Sequence, residues 1–177
     1  MAISVENNNT VSGMTNKILL RPFRPEDALE KENLDTDPDI KRYLGATPPK
    51  LEDEIADFER QGFGLVAIVD ASTDHIVGFA KLQYPDWNVD LDLGLELIVA
   101  VAPKAWGRGF ALEAAQMLIK IGCGSLQQKQ IVGRVAASNI ASLSLVCGLG
   151  MTKVGERDDI FDGRQHIYVA SCEDRAG

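Results

Sequence analysis

Residues 91 to 122 predict a strand, a glycine-rich turn and a helix in immediate succession. Apolar side chains occupy every odd position from Leu91 to Val101, which is the two-residue period of a β-strand. From Leu97 onward the even positions are apolar as well, so we expect this end of the strand to be buried on both faces. Gly107 and Gly109 then lead into a helix-forming run. A strand that is covered on both sides and continues into a helix predicts the interior of an α/β sheet.

The other periodic segments alternate between strands and helices, and no repeat or linker divides them. We therefore expect one domain of the α/β (α+β) class, with a mixed sheet and helices on both faces. Strands are predicted over 18–23, 63–69, 76–82, 91–101, 131–136, 152–161 and 165–171. Helices are predicted from Pro25 to a break at 35–38, and over 51–60, 109–122 and 139–149.

The first sixteen residues are polar and lack a basic region followed by an apolar one. We expect residues 1–16 to be a flexible tail rather than a signal peptide, and residues 17–177 to form the domain. No run approaches the roughly 20 apolar residues that cross a bilayer, so we expect no membrane span.

The formal net charge of −8 argues against a nucleic-acid partner, because binding to a phosphate backbone requires a basic face. An acidic protein attracts a cationic small molecule or peptide instead.

The three cysteines, Cys123, Cys147 and Cys172, are odd in number and lack the spacing of metal ligands. We expect free thiols in a reducing compartment, and hence a cytoplasmic protein without a metal site. The two histidines, His75 and His166, are expected to be structural.

The glycine turn predicts an anion site. The first N–H groups of a helix are unpaired and carry roughly half a positive charge, and preceding glycines let a phosphate approach the backbone. The chain has no Gly-Lys-Ser/Thr and no GxGxxG after its first strand, which excludes a P-loop and a dinucleotide-binding fold. In the alternative interpretation, Gly107 and Gly109 only allow the backbone to turn before the helix, and no anion binds there.

Trp106-Gly107-Arg108-Gly109-Phe110-Ala111 resembles the pyrophosphate loop of the GNAT superfamily of acyl-CoA N-acyltransferases, usually Gln/Arg-x-x-Gly-x-Gly/Ala. With Trp106 first and Glu113 in place, it is similar to the RimJ/RimL-like branch, which acetylates N-terminal α-amines of ribosomal proteins. Segments at 20–27, 37–44 and 139–151 also resemble this branch, so the similarity covers about residues 17–171. It implies an acyl-CoA N-acyltransferase domain with a mixed, mostly antiparallel twisted sheet of about seven strands.

The resemblance implies that acetyl-CoA is the co-substrate and lies along the end of the strand at Val101 like an added strand. Its pyrophosphate would bind the N–H groups of residues 107–112, and N–H groups near Val99 would hold the oxyanion of the thioester. The cofactor-binding residues implied in this way are Val99, Ala100, Val101, Trp106, Gly107, Arg108, Gly109, Phe110, Ala111, Leu112, Asn139 and Ser142.

The reaction requires a neutral amine. Deprotonation at pH 7 costs a lysine-like amine about 4.6 kcal/mol, but an α-amine, with a pKa of about 7.7–8, only about 1 to 1.4 kcal/mol. Glu96 is the best candidate for the base, acting directly or through water, and Asp92 is the second choice. The candidate acceptor-side residues are Tyr43, Tyr84, Asp86 and Trp87.

Two positions depart from the superfamily pattern. Val146 stands where many members carry a Tyr that protonates the leaving thiolate, and Arg134 stands where some carry a Glu. A thiol with a pKa of about 8.5 leaves with little help, so these losses suit an undemanding α-amine acceptor. Polyamines, amino acids and aminoglycosides stay open as acceptors, as does a regulatory module that binds acyl-CoA without turnover. Either a monomer or a homodimer is compatible with the resemblance.

Overall fold

The structure is a computed structural model that describes residues 13–44, 48–87, 94–159 and 163–173, without the side chain of Tyr43. Within these ranges the strands are β1 (Gly13–Met14), β2 (Ile18–Pro22), β3 (Leu65–Asp70), β4 (His75–Gln83), β5 (Leu95–Val101), β6 (Gln130–Ala136), β7 (Thr152–Asp159) and β8 (Gly163–Ser171). The α-helices are α1 (Ala28–Thr36), α2 (Pro38–Leu44), α3 (Leu51–Gln61), α4 (Phe110–Cys123) and α5 (Ile140–Gly148). Single 3₁₀ turns cover Pro25–Asp27 and Pro103–Ala105.

All eight described strands belong to one sheet in the order β1-β2-β3-β4-β5-β6-β8-β7. Every neighbouring pair is antiparallel except β5 and β6, which run parallel. The mixed, mostly antiparallel sheet that we expected is therefore confirmed, with one strand more than predicted. The added strand, β1, lies in the segment that we assigned to the tail, where Gly13 and Met14 pair with Leu20 and Leu19.

Both faces of β3 are covered, whereas residues 97–100 of β5, which we expected to be buried on both faces, are only partly buried. The side chains of Val66 and Ile68 on β3 belong to a core that includes much of α4. Their neighbours Leu65 and Ala67 face a second core with residues of α1 and α2. The predicted strand at 91–101 begins at Leu95 in the structure, and residues 91–93 lie outside the described ranges. Among the described residues, no helix combines the length and apolar character that a bilayer crossing requires.

The cysteines do not match our expectation of three free thiols. Cys123 at the end of α4 and Cys172 just after β8 form a disulfide, with Cα atoms 5.2 Å apart. The two residues meet because β8 pairs with the whole of β6 and brings Cys172 next to the end of α4, where the Cys172 amide donates to the carbonyl of Lys129 at 2.9 Å. Cys147 is free and exposed.

Candidate active site

Strands β5 and β6 separate in the middle of the sheet. They pair only at Leu95 with Ile131 and at Glu96 with Val132, whereas β5 pairs with β4 from Glu96 to Val101. On the β6 side, the edge of β5 from residue 97 to residue 101 therefore has no strand partner among the described residues. An unpaired strand edge offers hydrogen-bonding groups to any extended chain. We call this gap the fork, and Glu96 lies at its closed end.

The glycine turn lies at the open end of β5. Gly107 and Gly109 have φ angles of +73° and +81°, in the left-handed region that favours glycine, and α4 begins at the next residue. A Cβ added at Gly107 would meet no atom within 4 Å, so this surface of the turn is open. The Trp106 indole N–H donates to the carbonyl of Val101 at 2.7 Å. Trp106 thus holds the turn against the end of β5 and already uses one of the backbone groups that we assigned to the cofactor.

Arg108 is held by protein groups. Its guanidinium lies 2.8 Å from a carboxylate oxygen of the buried Asp70 and 4.4 Å from the ring centroid of Phe110. Asp70 also accepts hydrogen bonds from the hydroxyl and amide of Ser72, and these bonds, with Arg108, lower the pKa of its carboxyl group. Arg108 therefore fastens the glycine turn to the β3–β4 turn.

Lys17 is a cation near the glycine turn that our sequence reasoning missed. Its Nζ lies 3.8 Å from the position that a Cβ would occupy on Gly109. No acidic group pairs with it in the part of the chain that the structure describes. No motif marks Lys17, because its place beside the turn depends on the sheet and not on local sequence.

Asn139 and Ser142 stabilise the start of α5. The Asn139 side-chain oxygen accepts a hydrogen bond from the Ser142 amide at 3.0 Å, which caps the helix. Val146, at the position where many superfamily members carry a Tyr, is buried in the core. A part in cofactor binding stays a prediction for Asn139 and Ser142.

Glu96, the second residue of β5, is only 2% exposed. Its Oε1 lies 3.3 Å from Nε of Arg134, and its Oε2 accepts a hydrogen bond from Nε2 of Gln83 at 3.2 Å. The structure brings Glu96 and Arg134 together, although no motif relates them in the sequence. Gln83 is a second partner of Glu96 that no motif marks, because the contact depends on the register that places Gln83 opposite Glu96 across β4 and β5.

The predicted acceptor residues occupy different environments. Trp87 is buried, with the guanidinium carbons of Arg134 and Arg157 at 5.6 and 5.5 Å from its ring centroid, so its ring is not a surface for the acceptor. Tyr84 and Asp86 are exposed on the loop after β4, and the Tyr84 ring meets Phe63 edge-on at 5.8 Å.

The other two acceptor-side candidates are not fully described. Tyr43 belongs to α2, but its side chain lies outside the described residues. Asp92, the second choice for the base, lies outside them as well.

Comparisons with known proteins identify the family of this chain. Residues 17–152 match the family model described as an acetyltransferase (GNAT) domain. The chain is 29% identical over 150 residues to an uncharacterized N-acetyltransferase, p20, of Bacillus licheniformis, which covers 80% of this chain and 82% of that protein.

Solved structures share the fold. A ribosomal-protein-S5-alanine acetyltransferase from Vibrio fischeri superposes with a TM-score of 0.77 at 13% identity, covering 93% of this chain and 98% of that one. A spermidine N-acetyltransferase from Vibrio cholerae, in complex with CoA and spermine, gives 0.74 at 16% identity, covering 90% and 98%. The family match over most of the chain and the common fold lead to one conclusion: the protein belongs to the GNAT acetyltransferase family and is an acetyl-CoA-dependent N-acyltransferase.

Proposed function

We propose that this protein transfers the acetyl group of acetyl-CoA to a primary amine, by direct attack of the amine on the thioester. The observation that carries the proposal is the fork, with the buried carboxylate of Glu96 at its closed end and the glycine turn at its open end. A strand rises about 3.3 Å per residue, so roughly 17 Å of β5 separate Glu96 from Val101. An extended pantetheine arm is of the same order of length and carries amide groups that can pair with a strand edge.

The phosphate end of the ligand would lie at the glycine turn. The open surface at Gly107 and the first N–H groups of the fourteen-residue helix α4 favour an anion there. Arg108 is already paired with Asp70, so we assign the cationic contact to Lys17. Val99 and Ala100 would supply the backbone groups for the arm, since Trp106 occupies the carbonyl of Val101.

Glu96 would accept the proton of the attacking amine. As the C–N bond forms and the C–S bond breaks, N–H groups near Val99 would hold the oxygen of the thioester, and the sulfur would leave as a thiolate. Because Glu96 is 2% exposed, we assign the proton transfer to a bridging water rather than to direct contact. Val146 cannot protonate the thiolate, and a thiol with a pKa of about 8.5 does not require it.

A protein N-terminal α-amine is the acceptor class that we favour, as in the RimJ/RimL-like branch. An α-amine needs less help with deprotonation than a lysine or a polyamine, which suits a site where the candidate base is already paired with Arg134. The two structural neighbours named above act on a ribosomal-protein alanine and on spermidine, so the shared fold is compatible with peptide and small-amine acceptors alike.

The test is an acceptor screen. Acetyl-CoA is incubated with the protein and a panel that contains peptides with free N-termini, the same peptides with blocked N-termini and internal lysines, polyamines and free amino acids. Release of CoA thiol and the mass of the product are measured. We expect acetylation of the free N-terminal peptides alone. Acetylation of a polyamine would correct the acceptor class, and binding of acetyl-CoA without transfer to any amine would overturn the proposal.

A further inference from the structure

We propose that Arg134 is a positioning residue that orients the Glu96 carboxylate toward the fork, an inference that rests on the proposed function. Arg134 stands on β6, and Glu96 is the last residue of β5 that pairs with this strand. The guanidinium Nε lies 3.3 Å from Oε1 of Glu96. An arginine at this place is thus in contact with the carboxylate to which we assign the proton transfer.

The carboxylate needs such a partner because it is buried. Its side chain is 2% exposed, and an unpaired charge in that environment is strongly unfavourable. Arg134 and Gln83 each hold one of the two oxygens, at 3.3 and 3.2 Å, so together they define the plane of the carboxylate. A carboxylate has about four lone-pair sites, so two donors leave it with capacity to accept a proton.

Arg134 is itself restrained. Its guanidinium carbon lies 5.6 Å from the centroid of the buried Trp87 ring, and the arginine side chain is 25% exposed. A planar guanidinium held against an aromatic ring loses little further freedom when it binds a carboxylate. Loss of Arg134 would therefore release Glu96 from a defined position, and a displacement of about 1 Å can cost about 10²-fold in rate.

Arg157 provides a matched control within the same cluster. Its guanidinium lies 5.5 Å from the Trp87 ring centroid and its side chain is 31% exposed, close to the values for Arg134. It pairs with Asp159, and no contact joins it to Glu96 among the described residues. The variants Arg134→Met and Arg157→Met each remove one arginine–Trp87 contact, but only the first removes the partner of Glu96.

The experiment compares Arg134→Met, Arg134→Lys, Arg157→Met, Glu96→Gln and the double variant Arg134→Met/Glu96→Gln with the wild type, using the best acceptor from the screen. We expect Arg134→Met to lower kcat roughly 10²-fold with the KM for acetyl-CoA within about twofold, and Arg134→Lys to recover part of the loss. Arg157→Met keeps kcat within about twofold. The double variant is no slower than Glu96→Gln alone, because the two residues act as one unit.

Two results would overturn the positioning role while leaving the proposed function intact: equal losses in Arg134→Met and Arg157→Met, or losses that multiply in the double variant. A wild type that transfers acetyl to no amine would overturn the proposed function and this inference together. If Arg134→Met fails to fold, the double variant Arg134→Lys/Glu96→Gln is compared with its two single variants instead. Losses in kcat that multiply in this double variant also contradict the proposal.

Discussion

Glu96 and Lys17, the two charged residues that frame the proposed site, lie in opposite environments. Glu96 is 2% exposed and has a donor on each carboxylate oxygen. Lys17 is exposed, and its Nζ lies beside Gly109. A buried, oriented group changes the chemical step when it is replaced, whereas an exposed charge mainly changes the binding of a charged ligand. The two residues therefore lead to different predictions.

Glu96→Gln is expected to lower turnover at pH 7 by roughly 10²-fold, since a positioned base contributes at least this much. At pH 9 the loss becomes smaller, because an α-amine with a pKa of about 7.7–8 is then already deprotonated in solution. The measurement is kcat at the two pH values, with calorimetry to show unchanged binding of acetyl-CoA. An unchanged rate at pH 7 would remove Glu96 from the mechanism.

Lys17→Gln is expected to weaken CoA binding about fivefold, the equivalent of about 1 kcal/mol for an exposed charge contact. The control is Lys120→Gln, which removes the same charge from an exposed lysine in the last turn of α4. Titration calorimetry at low and high salt provides the readout, and the difference between the variants shrinks as salt screens the contact. Equal weakening in both variants would mean that only net charge matters.

At the scale of elements, the turn between β5 and α4 forms the open end of the proposed site. Trp106 holds the turn to the carbonyl of Val101, and Arg108 holds it to the buried Asp70. Gly107 and Gly109 have left-handed conformations in the turn immediately before α4, where glycine is favoured. The turn is therefore held to β5 and β3 by two side-chain contacts, while residues 106–109 are exposed.

Gly107→Ala is expected to weaken CoA binding at least tenfold, because its Cβ would occupy the open surface and the left-handed conformation costs about 1–2 kcal/mol. Gly163→Ala is the matched control. Gly163 has a φ of +68° and, like Gly107, no atom within 4 Å of an added Cβ, but it lies at the start of β8. We expect both variants to lose similar thermal stability and only the first to lose affinity. A loss of affinity in both would contradict a local role for Gly107.

At the scale of the whole molecule, the sheet order brings the residue after β8 back to the helix that begins at the glycine turn. Cys123 ends α4 and Cys172 follows β8, and the disulfide between them closes a loop with a sequence separation of 49 residues. Such a link stabilises a protein mainly by reducing the freedom of the unfolded chain.

Cys172→Ser is expected to lower the free energy of unfolding by about 4 kcal/mol, the chain-entropy value for a loop of this size. Urea unfolding with and without reductant is the measurement. We expect reductant to destabilise the wild type and to leave the variant unchanged. Cys147→Ser, which removes the exposed free thiol, serves as the control. We expect reductant to destabilise this variant as much as it destabilises the wild type.

The amino-acid sequence alone predicts most of the elements of this protein. The helix predicted over 109–122 is observed as Phe110–Cys123, and that predicted over 51–60 as Leu51–Gln61. The strand predicted over 131–136 is β6, Gln130–Ala136. These elements are predictable because periodicity, glycine and capping residues act within a few positions of one another along the chain. The glycine motif likewise indicated the family before the fold was known.

Only the tertiary structure decided the partners of the charged groups. Arg134 meets Glu96, Lys17 meets the glycine turn, and Cys172 meets Cys123 because the sheet order places distant segments side by side. Sequence spacing carries no information on such contacts, since they depend on which strands pair and in which register. The sequence by itself therefore determined the local elements and the motif, while the long-range pairing of strands determined what surrounds the carboxylate at the fork.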